Sequence, residues 1–514
     1  MWKKQKKNQK DEQFVRNKIA VSLLALLFTF LNFGAHGAPP PYFHLNPNLV
    51  DAQKYNFELK LDKARLTLTR ELIANQNNCA AHYLLHFNAY LKAFMSEDAA
   101  DYKSYVLVQQ RAIKQIQQLN DNEPHKKYAL ADIYFYSATL KAKFDEVYSA
   151  ARDIHRAHTL IEENHAKFPT FLPNNKTRGV LKVYLSTVPD NYAWVVNFLG
   201  IKGDLEEGLS LLQSIAHHGD KTPKYQSCAK EASYLYSFAL YHVAKQSDKA
   251  WIETLRSTKD YKTSLLSTFF RSNMALKLNK NEIAFNLLLN RPNDTEYESC
   301  VMLNFLLGTA KLNKDDPTAI LEFKKFKDQY RGKNYIKSNL QKMSWYYFLS
   351  GDRKQAELYK ELIETKGVSI NEDDKLANRY GKKPWPNKEL LRARLLYDGG
   401  YYNKAAAVIA KIELKELPNS NQKAEYCYRR GRISEKLGHI ELAMKFYEAS
   451  SLYAIHSDEY YGSYASIYLG EYYASKRDKK MAKKFFDRAL SLKNNKEYTE
   501  SLEYRVKLGL KMLN

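Results

Sequence analysis

The chain is poor in the residues that interrupt helices and in those that build metal or redox sites. Its 514 residues include only 19 glycines, 14 prolines and 4 cysteines. So few helix breakers leave little room for linkers, which favours helices in close succession. The four cysteines, Cys79, Cys228, Cys300 and Cys427, stand far apart and form no metal-binding or redox motif. We expect them to be buried free thiols.

Catalytic motifs are also missing. The sequence contains no phosphate-binding loop, no dinucleotide fingerprint and no GxSxG nucleophile motif. Paired carboxylates such as Glu206 and Glu207 lie at a helix start and lack the opposed geometry that acid–base catalysis needs. We therefore expect no enzymatic activity and no cofactor.

Long apolar segments are absent except for one near the N-terminus. Residues 1–18 are basic, residues 19–33 are uncharged and apolar, and the small residues GAHGA follow. This order is typical of a secretory signal peptide, and the apolar run is shorter than the about twenty residues that span a bilayer. We predict export to the periplasm or cell envelope of a Gram-negative bacterium, with residues 1–37 removed. The alternative is an uncleaved anchor in the inner membrane.

Acidic residues are in deficit. The chain has 80 Lys and Arg against 57 Asp and Glu, a formal net charge of +23. Such a surface attracts anions, so association with a membrane surface stays open beside a simply solvated, lysine-rich exterior. The basic residues are spread along the chain and form no recognisable nucleic-acid-binding module, so we expect no nucleic acid partner.

What the chain does contain is one short pattern that recurs to its end. A glycine, or a substitute for it, stands five positions before a small residue that opens an apolar stripe. Glycine ends a helix in the left-handed conformation, and the small residue lets the next helix approach closely. The pattern predicts stacked helix-turn-helix hairpins, with Asp204 and Asp352 as N-caps. It occurs as Gly203…Gly208, Asn279…Ala284, Lys314…Ala319, Gly351…Ala356, Gly400…Ala405, Gly438…Ala443 and Arg477…Ala482.

The last two hairpins carry the pattern most clearly. Residues 426–452 and 466–492 resemble tetratricopeptide repeats, and their matched positions, such as Gly431 and Gly470, lie 39 residues apart. We predict an all-α superhelical stack of about twenty antiparallel helices, a tetratricopeptide-like α-solenoid. The positions that carry the resemblance are Gly431, Gly438, Ala443 and Tyr447 in one unit and Gly470, Ala482 and Phe486 in the next.

A second resemblance involves residues 185–212 and 390–405. Their sequences, LSTVPDNYAWVVNFLGIKGDLEEGLSLL and LLRARLLYDGGYYNKA, are similar to the eukaryotic inclusion-body-clearance tetratricopeptide family, whose members are non-enzymatic adaptors. The chain resembles exported bacterial tetratricopeptide proteins more closely. Both resemblances imply a scaffold, and neither transfers a functional residue to this sequence.

Composition divides the chain into four parts. The leader, residues 1–37, is followed by an N-terminal helical repeat region at 38–366. Residues 367–386 are polar, contain two prolines and lack a helical stripe, so we predict a loop or linker there. Residues 387–514 form the C-terminal repeats with a capping helix.

Two groups of histidines have the spacing of metal ligands. His82 and His86 lie one turn apart, but the residues between them are apolar and the glutamate of a metalloprotease is missing. The second group shares a helical face but spans about 15 Å, too far to converge on one ion. We expect no metal site. The second group is His155, His158, Glu162 and His165.

The 39 tyrosines are the outlier of the composition. Tyrosine beside lysine or arginine suits peptide or glycan binding, and the densest mixture lies on first helices of the C-terminal repeats. Such helices line the concave face of a stack, although the rings have packing between repeats as an alternative role. We predict a scaffold that binds a protein or peptide partner through Tyr428, Arg429, Tyr468 and Tyr472. Glycan capture of the outer-membrane nutrient-uptake type is the alternative function.

Overall fold

The fold is helical throughout the described part of the chain. The computed structural model describes residues 40–187, 203–457, 459–492, 498–511 and 513. These residues contain twenty-four α-helices and no β-strand, only an isolated bridge between Tyr42 and Asn78. The first twelve helices are α1 Pro47–Glu58, α2 Leu61–Ala74, α3 Cys79–Ser96, α4 Ala99–Ile116, α5 Pro124–Lys143, α6 Val147–Lys167, α7 Asn174–Leu185, α8 Leu205–His218, α9 Gln226–His242, α10 Ser247–Ser257, α11 Leu265–Lys277 and α12 Asn281–Leu289. The other twelve are α13 Met302–Asn313, α14 Ala319–Gln329, α15 Ile336–Ser350, α16 Arg353–Thr365, α17 Glu372–Lys382, α18 Lys388–Asp398, α19 Tyr402–Ile409, α20 Ser420–Lys436, α21 Ile440–Tyr453, α22 Tyr461–Ser475, α23 Lys479–Ser491 and α24 Thr499–Lys511.

Successive helices pair into hairpins across short turns. α5 packs along α6, α15 along α16, α20 along α21 and α22 along α23. Each hairpin then stacks on the next, as α21 does on α22 and α14 on α15. The prediction of an all-α stack of helix-turn-helix hairpins is confirmed.

The turns between paired helices have the backbone that the recurring pattern predicts. Gly351, Gly400 and Gly438 have positive φ angles of 95°, 80° and 82°. The helices that follow two of the predicted turns begin at an aspartate cap. The side chain of Asp204 accepts a hydrogen bond from a backbone N–H at 2.9 Å, and that of Asp352 does so at 3.0 Å. These caps satisfy N–H groups that the first turn of a helix leaves without a partner.

Turns without glycine show how far the pattern extends. Asn279 and Arg477 take the left-handed conformation, with φ of 57° and 61°. The predicted position at Lys314 is wrong by one residue, because Lys314 is right-handed and Asp315 has the positive φ of 62°. This turn is longer, since Asp316 caps its end by accepting an N–H two residues later at 2.7 Å.

A glycine and an aromatic ring close the seam inside two C-terminal hairpins. A Cβ atom on Gly431 of α20 would lie 2.5 Å from the ring of Tyr447 on α21. A Cβ atom on Gly470 of α22 would lie 2.6 Å from the ring of Phe486 on α23. Both rings are fully buried, so each seam has room for glycine alone. The predicted small residues are fully buried as well: Ala284, Ala319, Ala356, Ala405, Ala443 and Ala482.

Close glycine contacts also occur earlier in the chain. Gly308 of α13 faces Phe323 of α14 in the same way, with 2.7 Å between the ring and a Cβ atom built on the glycine. A Cβ atom on Gly208 of α8 would lie 2.8 Å from the carbonyl oxygen of Gly179 on α7. Gly203 lies against the backbone at the end of α7. The predicted close packing of Gly208 is therefore present, whereas Gly203 is not among the glycines with a positive φ.

The predicted loop at residues 367–386 is wrong over most of its length. Helix α17 occupies residues 372–382 and is capped by Asn371, which accepts the N–H of Asp374 at 2.8 Å. The buried residues of this helix are Asp374, Ala377 and Gly381. Hydrophobic periodicity does not reveal a helix whose buried stripe is so narrow and so weakly apolar. Its N-cap and its acidic first turn are the sequence features that predict it. The division into two repeat regions stays a prediction.

The N-terminal part of the stack closes on itself. Helix α1 packs against α11, although repeats of a simple solenoid contact only their neighbours. Ser264 donates a hydrogen bond to the carbonyl oxygen of Phe57 at 2.6 Å, and Asn334 donates one to Glu97 at 2.6 Å. These bonds join residues 207 and 237 positions apart in the chain. One buried core extends from Phe57 of α1 to Leu391 and Leu395 of α18, so these helices do not form an open row.

The predicted leader at residues 1–37 lies outside the described residues, as do residues 188–202 of the segment that resembles inclusion-body-clearance proteins. Among the helices that are described, none combines the length and the apolar character that crossing a membrane requires. Export and N-terminal anchoring stay predictions.

Candidate ligand-binding groove

The first helices of the C-terminal hairpins form one continuous wall. α18, α20 and α22 lie side by side, and α24 packs against α22. Helix α15 of the N-terminal part packs against α18. Asn279, in the turn after α11, donates a hydrogen bond to the carbonyl oxygen of Asp398 at 2.8 Å. The wall thus meets the N-terminal part of the chain at the start of the C-terminal repeats.

Between these elements lies a polar groove that encloses about 260 Å³. Guanidinium groups and phenol rings make up most of its lining, and we call it the arginine–tyrosine groove. Its residues are Asn279, Ala393, Arg394, Tyr397, Asp398, Tyr428, Arg429, Arg432 and Tyr460.

Arg432 is held by phenols instead of carboxylates. Its guanidinium donates hydrogen bonds to the hydroxyl of Tyr397 at 2.7 Å and to that of Tyr468. Its Nε lies 3.8 Å from Glu435, too far for a hydrogen bond, and has no hydrogen-bond partner. Glu435 itself accepts the hydroxyl of Tyr447 at 2.6 Å. The charge of Arg432 is therefore met mainly by neutral groups.

Arg394 is satisfied even less. Its guanidinium donates no hydrogen bond to any residue that the structure describes, and its Nε lies 3.7 Å from Asp398. The guanidinium is 5.0 Å from the ring centre of Trp345 on α15, and 36% of the side chain is exposed. The amine of Lys342 lies 5.7 Å from the same ring centre. Cations from both parts of the chain thus meet at Trp345.

Arg429, one of the predicted contact residues, is engaged within its own helix. Glu425 accepts a hydrogen bond from its Nε at 2.7 Å and another from Nη2. Burial by itself lowers the pKa of Arg429, but Glu425 and the nearby phenols of Tyr461 and Tyr460 keep that pKa above its ordinary value. Arg429 therefore adds positive charge to the groove but has few free donors.

The predicted tyrosines take different positions. Tyr428 is buried and packs against Tyr461, with ring centres 5.5 Å apart. Tyr468 accepts the hydrogen bond from Arg432 at the edge of the groove. Tyr472 lies one turn further along α22, half-buried and outside the groove lining. Of the four predicted residues, Tyr428 and Arg429 line the groove, Tyr468 contacts it through Arg432, and Tyr472 lies apart.

Sequence reasoning missed Arg394, Tyr397 and Arg432. A usable signal exists, because Arg394 and Tyr397 are three residues apart, as are Arg429 and Arg432, and such pairs share a helical face. Arginine and tyrosine at this spacing on first helices mark the wall. The contribution of Asn279 depends on contacts between distant helices, and no local pattern predicts it.

A second cluster of charges lies in the N-terminal part and is fully buried. Lys176 on α7 bonds Asp132 on α5 and Glu231 on α9, each at 2.5 Å. Tyr83 on α3 donates to Asp132 at 2.7 Å, and Tyr136 donates to Glu231 at 2.6 Å. Each of these five side chains is more than nine-tenths buried. We call them the Lys176 cluster, which ties four helices together and which sequence reasoning also missed.

The Lys176 cluster is internally satisfied. Burial raises the pKa of Glu231, and the charge of Lys176 opposes that rise. Burial also lowers the pKa of Lys176, but Asp132 and Glu231 outweigh it and keep that pKa well above its ordinary value. A buried ion pair of this kind costs stability when one partner is removed. We therefore interpret the cluster as part of the fold.

The histidines with metal-ligand spacing are not grouped around a common point in the described part of the chain. His86 is buried, its Nε2 lies 3.0 Å from the hydroxyl of Tyr105, and burial lowers its pKa to about 3. His82 is half-buried on the same helix, and Glu162 of the second group pairs with Arg178 at 3.0 Å. Within the described ranges no group of three or more His, Cys, Asp or Glu side chains is arranged to hold a metal ion. The cysteines are free thiols: Cys79 and Cys427 are buried, and Cys228 and Cys300 are half-buried.

Comparison with known proteins assigns no family. No protein-family model matches this chain, and no curated protein matches it. The tetratricopeptide resemblance stays a prediction, whereas the stack of helical hairpins rests on the structure itself.

Proposed function

We propose that this chain is a non-enzymatic scaffold of the exported tetratricopeptide type that binds a protein or peptide partner in the arginine–tyrosine groove. The main support is the state of Arg394 and Arg432. Both guanidinium groups line a partly open groove of about 260 Å³, and neither donates a hydrogen bond to a carboxylate. Guanidinium donors without such partners favour a ligand that supplies hydrogen-bond acceptors.

The size of the groove favours an anchoring point for a longer ligand. Small-molecule sites typically enclose about 300–1,000 Å³, which is more than this groove offers. The first helices α18, α20 and α22 continue the wall beyond it. An extended peptide that places one or two side chains in the groove therefore fits the surface better than an isolated small molecule.

The aromatic rings favour a peptide over a glycan. Sugar rings stack on open aromatic faces, but Tyr428 and Tyr461 are each 9% exposed and pack against other rings. Trp385, at the border of the C-terminal repeats, is stacked on Phe348 at 4.7 Å and covered by Arg353 at 4.0 Å. The groove presents hydrogen-bonding edges instead of flat platforms. Glycan capture is therefore the alternative function.

Export belongs to the same proposal. The basic, apolar and small-residue order of residues 1–37 supports a cleavable leader, with the mature chain starting near Ala38. N-terminal sequencing of protein recovered from the cell envelope tests this. An intact Met1 would favour the anchored form.

Partner recovery by immobilised mature chain tests the binding proposal. The groove variant is the double substitution Arg394→Gln and Arg432→Gln. The control is Arg65→Gln with Arg70→Gln, which removes the same charge from exposed positions on α2. We expect wild type and control to recover the same proteins and the groove variant to lose them. Equal recovery by all three would contradict the proposal, and groove-dependent binding to immobilised glycans would favour the alternative.

A further inference from the structure

We infer that the bound segment is an acidic peptide and that it bridges the two parts of the chain, held by Lys342 on one side and by Arg394 and Arg432 on the other. This inference rests on the proposed function. It adds the chemical class of the ligand and assigns a role to the junction between the N-terminal part and the C-terminal repeats.

The two parts meet around Trp345. The guanidinium of Arg394 lies 5.0 Å and the amine of Lys342 lies 5.7 Å from the centre of its ring. Arg394 belongs to α18 and Lys342 to α15, so the two cations come from opposite sides of the junction. Lys342 forms no ion pair with any residue that the structure describes. Lys342 lies beside the groove and outside its lining, and Arg394 has only the long ion pair to Asp398 at 3.7 Å. Both cations therefore have capacity for an additional anionic partner.

The charges around this junction are unbalanced. Five cations face three carboxylates: Lys277, Lys342, Arg394, Arg429 and Arg432 against Asp373, Asp398 and the Glu425 that pairs with Arg429. Burial lowers the pKa of Lys342, Asp373 and Asp398 oppose that change, and Arg394 and Lys277 lower the pKa further. Cations held close to one another in a partly buried site are stabilised by an incoming anion. The junction is thus complementary to a ligand with several negative charges.

The groove is also lined by groups other than cations, and these favour a peptide that carries carboxylates over a compact anion. Asp398 lines the same groove and repels a dense dianion such as inorganic phosphate. The carboxylate of Asp398 and the side-chain oxygen of Asn279 also accept hydrogen bonds, which backbone N–H groups of a peptide supply. Carboxylates spaced along a chain reach Arg394 and Lys342 without crowding Asp398. An acidic peptide therefore satisfies both the donors and the acceptors of the groove.

Fluorescence anisotropy with defined probes tests the inference. The ligand is a labelled peptide of alternating glutamate and serine, and its glutamine–serine and lysine–serine counterparts are the controls. We expect the full chain to bind only the acidic peptide. Arg394→Gln and Lys342→Gln are each expected to weaken binding at least about tenfold, because each removes a charge-assisted contact. Arg65→Gln removes the same charge far from the groove and is expected to leave affinity unchanged.

Three results would overturn the inference. Equal loss with Arg65→Gln and Arg394→Gln would mean diffuse attraction without a site. Loss with Arg394→Gln but not with Lys342→Gln would remove the bridging role. In the third result, inorganic phosphate displaces the labelled peptide more strongly than chloride does at equal ionic strength. That result would make a compact anion, and not an acidic peptide, the ligand of the groove. Lys342→Arg keeps the charge and is expected to bind like wild type, so the test stands even if Lys342→Gln fails to fold.

Failure of this inference is separable from failure of the proposed function. If the acidic peptide does not bind but partner recovery still requires Arg394 and Arg432, the acidic class is wrong and the scaffold proposal survives. If neither depends on these residues, both proposals fail.

Discussion

Two places in the molecule bring cations, carboxylates and tyrosines together, and they do so in different ways. In the Lys176 cluster every charge is buried, and Lys176 bonds two carboxylates at 2.5 Å. In the arginine–tyrosine groove, Arg432 bonds phenols and Arg394 comes no closer than 3.7 Å to its ion-pair partner Asp398. The same residue types therefore form a tie within the fold in one place and a surface with spare donors in the other.

The difference follows the architecture of the two parts. The N-terminal helices close around a shared core, as the bond from Ser264 to Phe57 shows. A polar group buried in that core has no access to water and needs an internal partner. The C-terminal repeats contact mainly their neighbours, which leaves one face of their first helices open. Charges inside the closed N-terminal part therefore stabilise the fold, whereas charges on the open face of the C-terminal repeats are available to a ligand.

Replacing Lys176 should give the largest change. Lys176→Met leaves Asp132 and Glu231 buried without a cation, and we expect a loss of about 3–5 kcal/mol in the free energy of unfolding. Urea unfolding of the purified chain measures it. Adding Asp132→Asn and Glu231→Gln should recover part of the loss. A cost below about 1 kcal/mol would mean that the cluster is not the internal tie described here.

The glycine seams should respond alike in both parts. Gly431→Ala in the C-terminal repeats and Gly308→Ala in the N-terminal part each push a Cβ atom into a buried ring. We expect each to cost about 1–3 kcal/mol through overpacking. The Cβ atom that Gly438→Ala adds has open space around it, so this variant tests only the strain of the left-handed backbone. Wild-type melting temperatures for Gly431→Ala and Gly308→Ala would contradict the register of these hairpins.

Lowering the pH should reduce the free energy of unfolding, because His86 is buried in its neutral form in the N-terminal part. Its pKa is about 3 in the folded chain, whereas an unfolded histidine takes up a proton near pH 6.5. Between these values the unfolded state binds more protons, so stability falls as pH is lowered. At pH 5.5 the loss from His86 is about 1.4 kcal/mol. His86→Gln should flatten the pH dependence of urea unfolding in this window, and the exposed His439→Gln is the control.

Removing a groove cation should change stability least. Arg394 donates no hydrogen bond to a described residue and is partly exposed, so Arg394→Gln should cost less than about 1 kcal/mol. The same measurement on Lys176→Met provides the contrast. A large loss with Arg394→Gln would mean that the groove belongs to the core.

Local patterns predicted the hairpins better than the site. Gly351, Gly400 and Gly438 determine turn conformation within a few residues, and Tyr447 and Phe486 identify the seams. Hydrophobic periodicity does not predict helix α17, because its buried stripe consists only of Asp374, Ala377 and Gly381.

The sequence predicts part of the groove, through Tyr428 and Arg429, but neither charge cluster could be predicted as a whole. Lys176 and Glu231 are 55 residues apart, and Asn279 reaches a residue 119 positions away. Such pairs depend on how hairpins stack, which no spacing within one helix specifies. Arg429 was predicted because it stands in a visible pattern, whereas its neighbour Arg432 has the fewer carboxylate contacts.

Hydrogen exchange of the full chain, with and without a recovered partner, tests the central claim most directly, since it needs no variant. We predict slower exchange in the groove helices α18 and α20 and in the adjoining helix α15 when the partner is bound, and unchanged exchange around the Lys176 cluster. Protection confined to the second helices α19, α21 and α23, or no protection in the C-terminal repeats, would contradict the assignment of the arginine–tyrosine groove as the binding site.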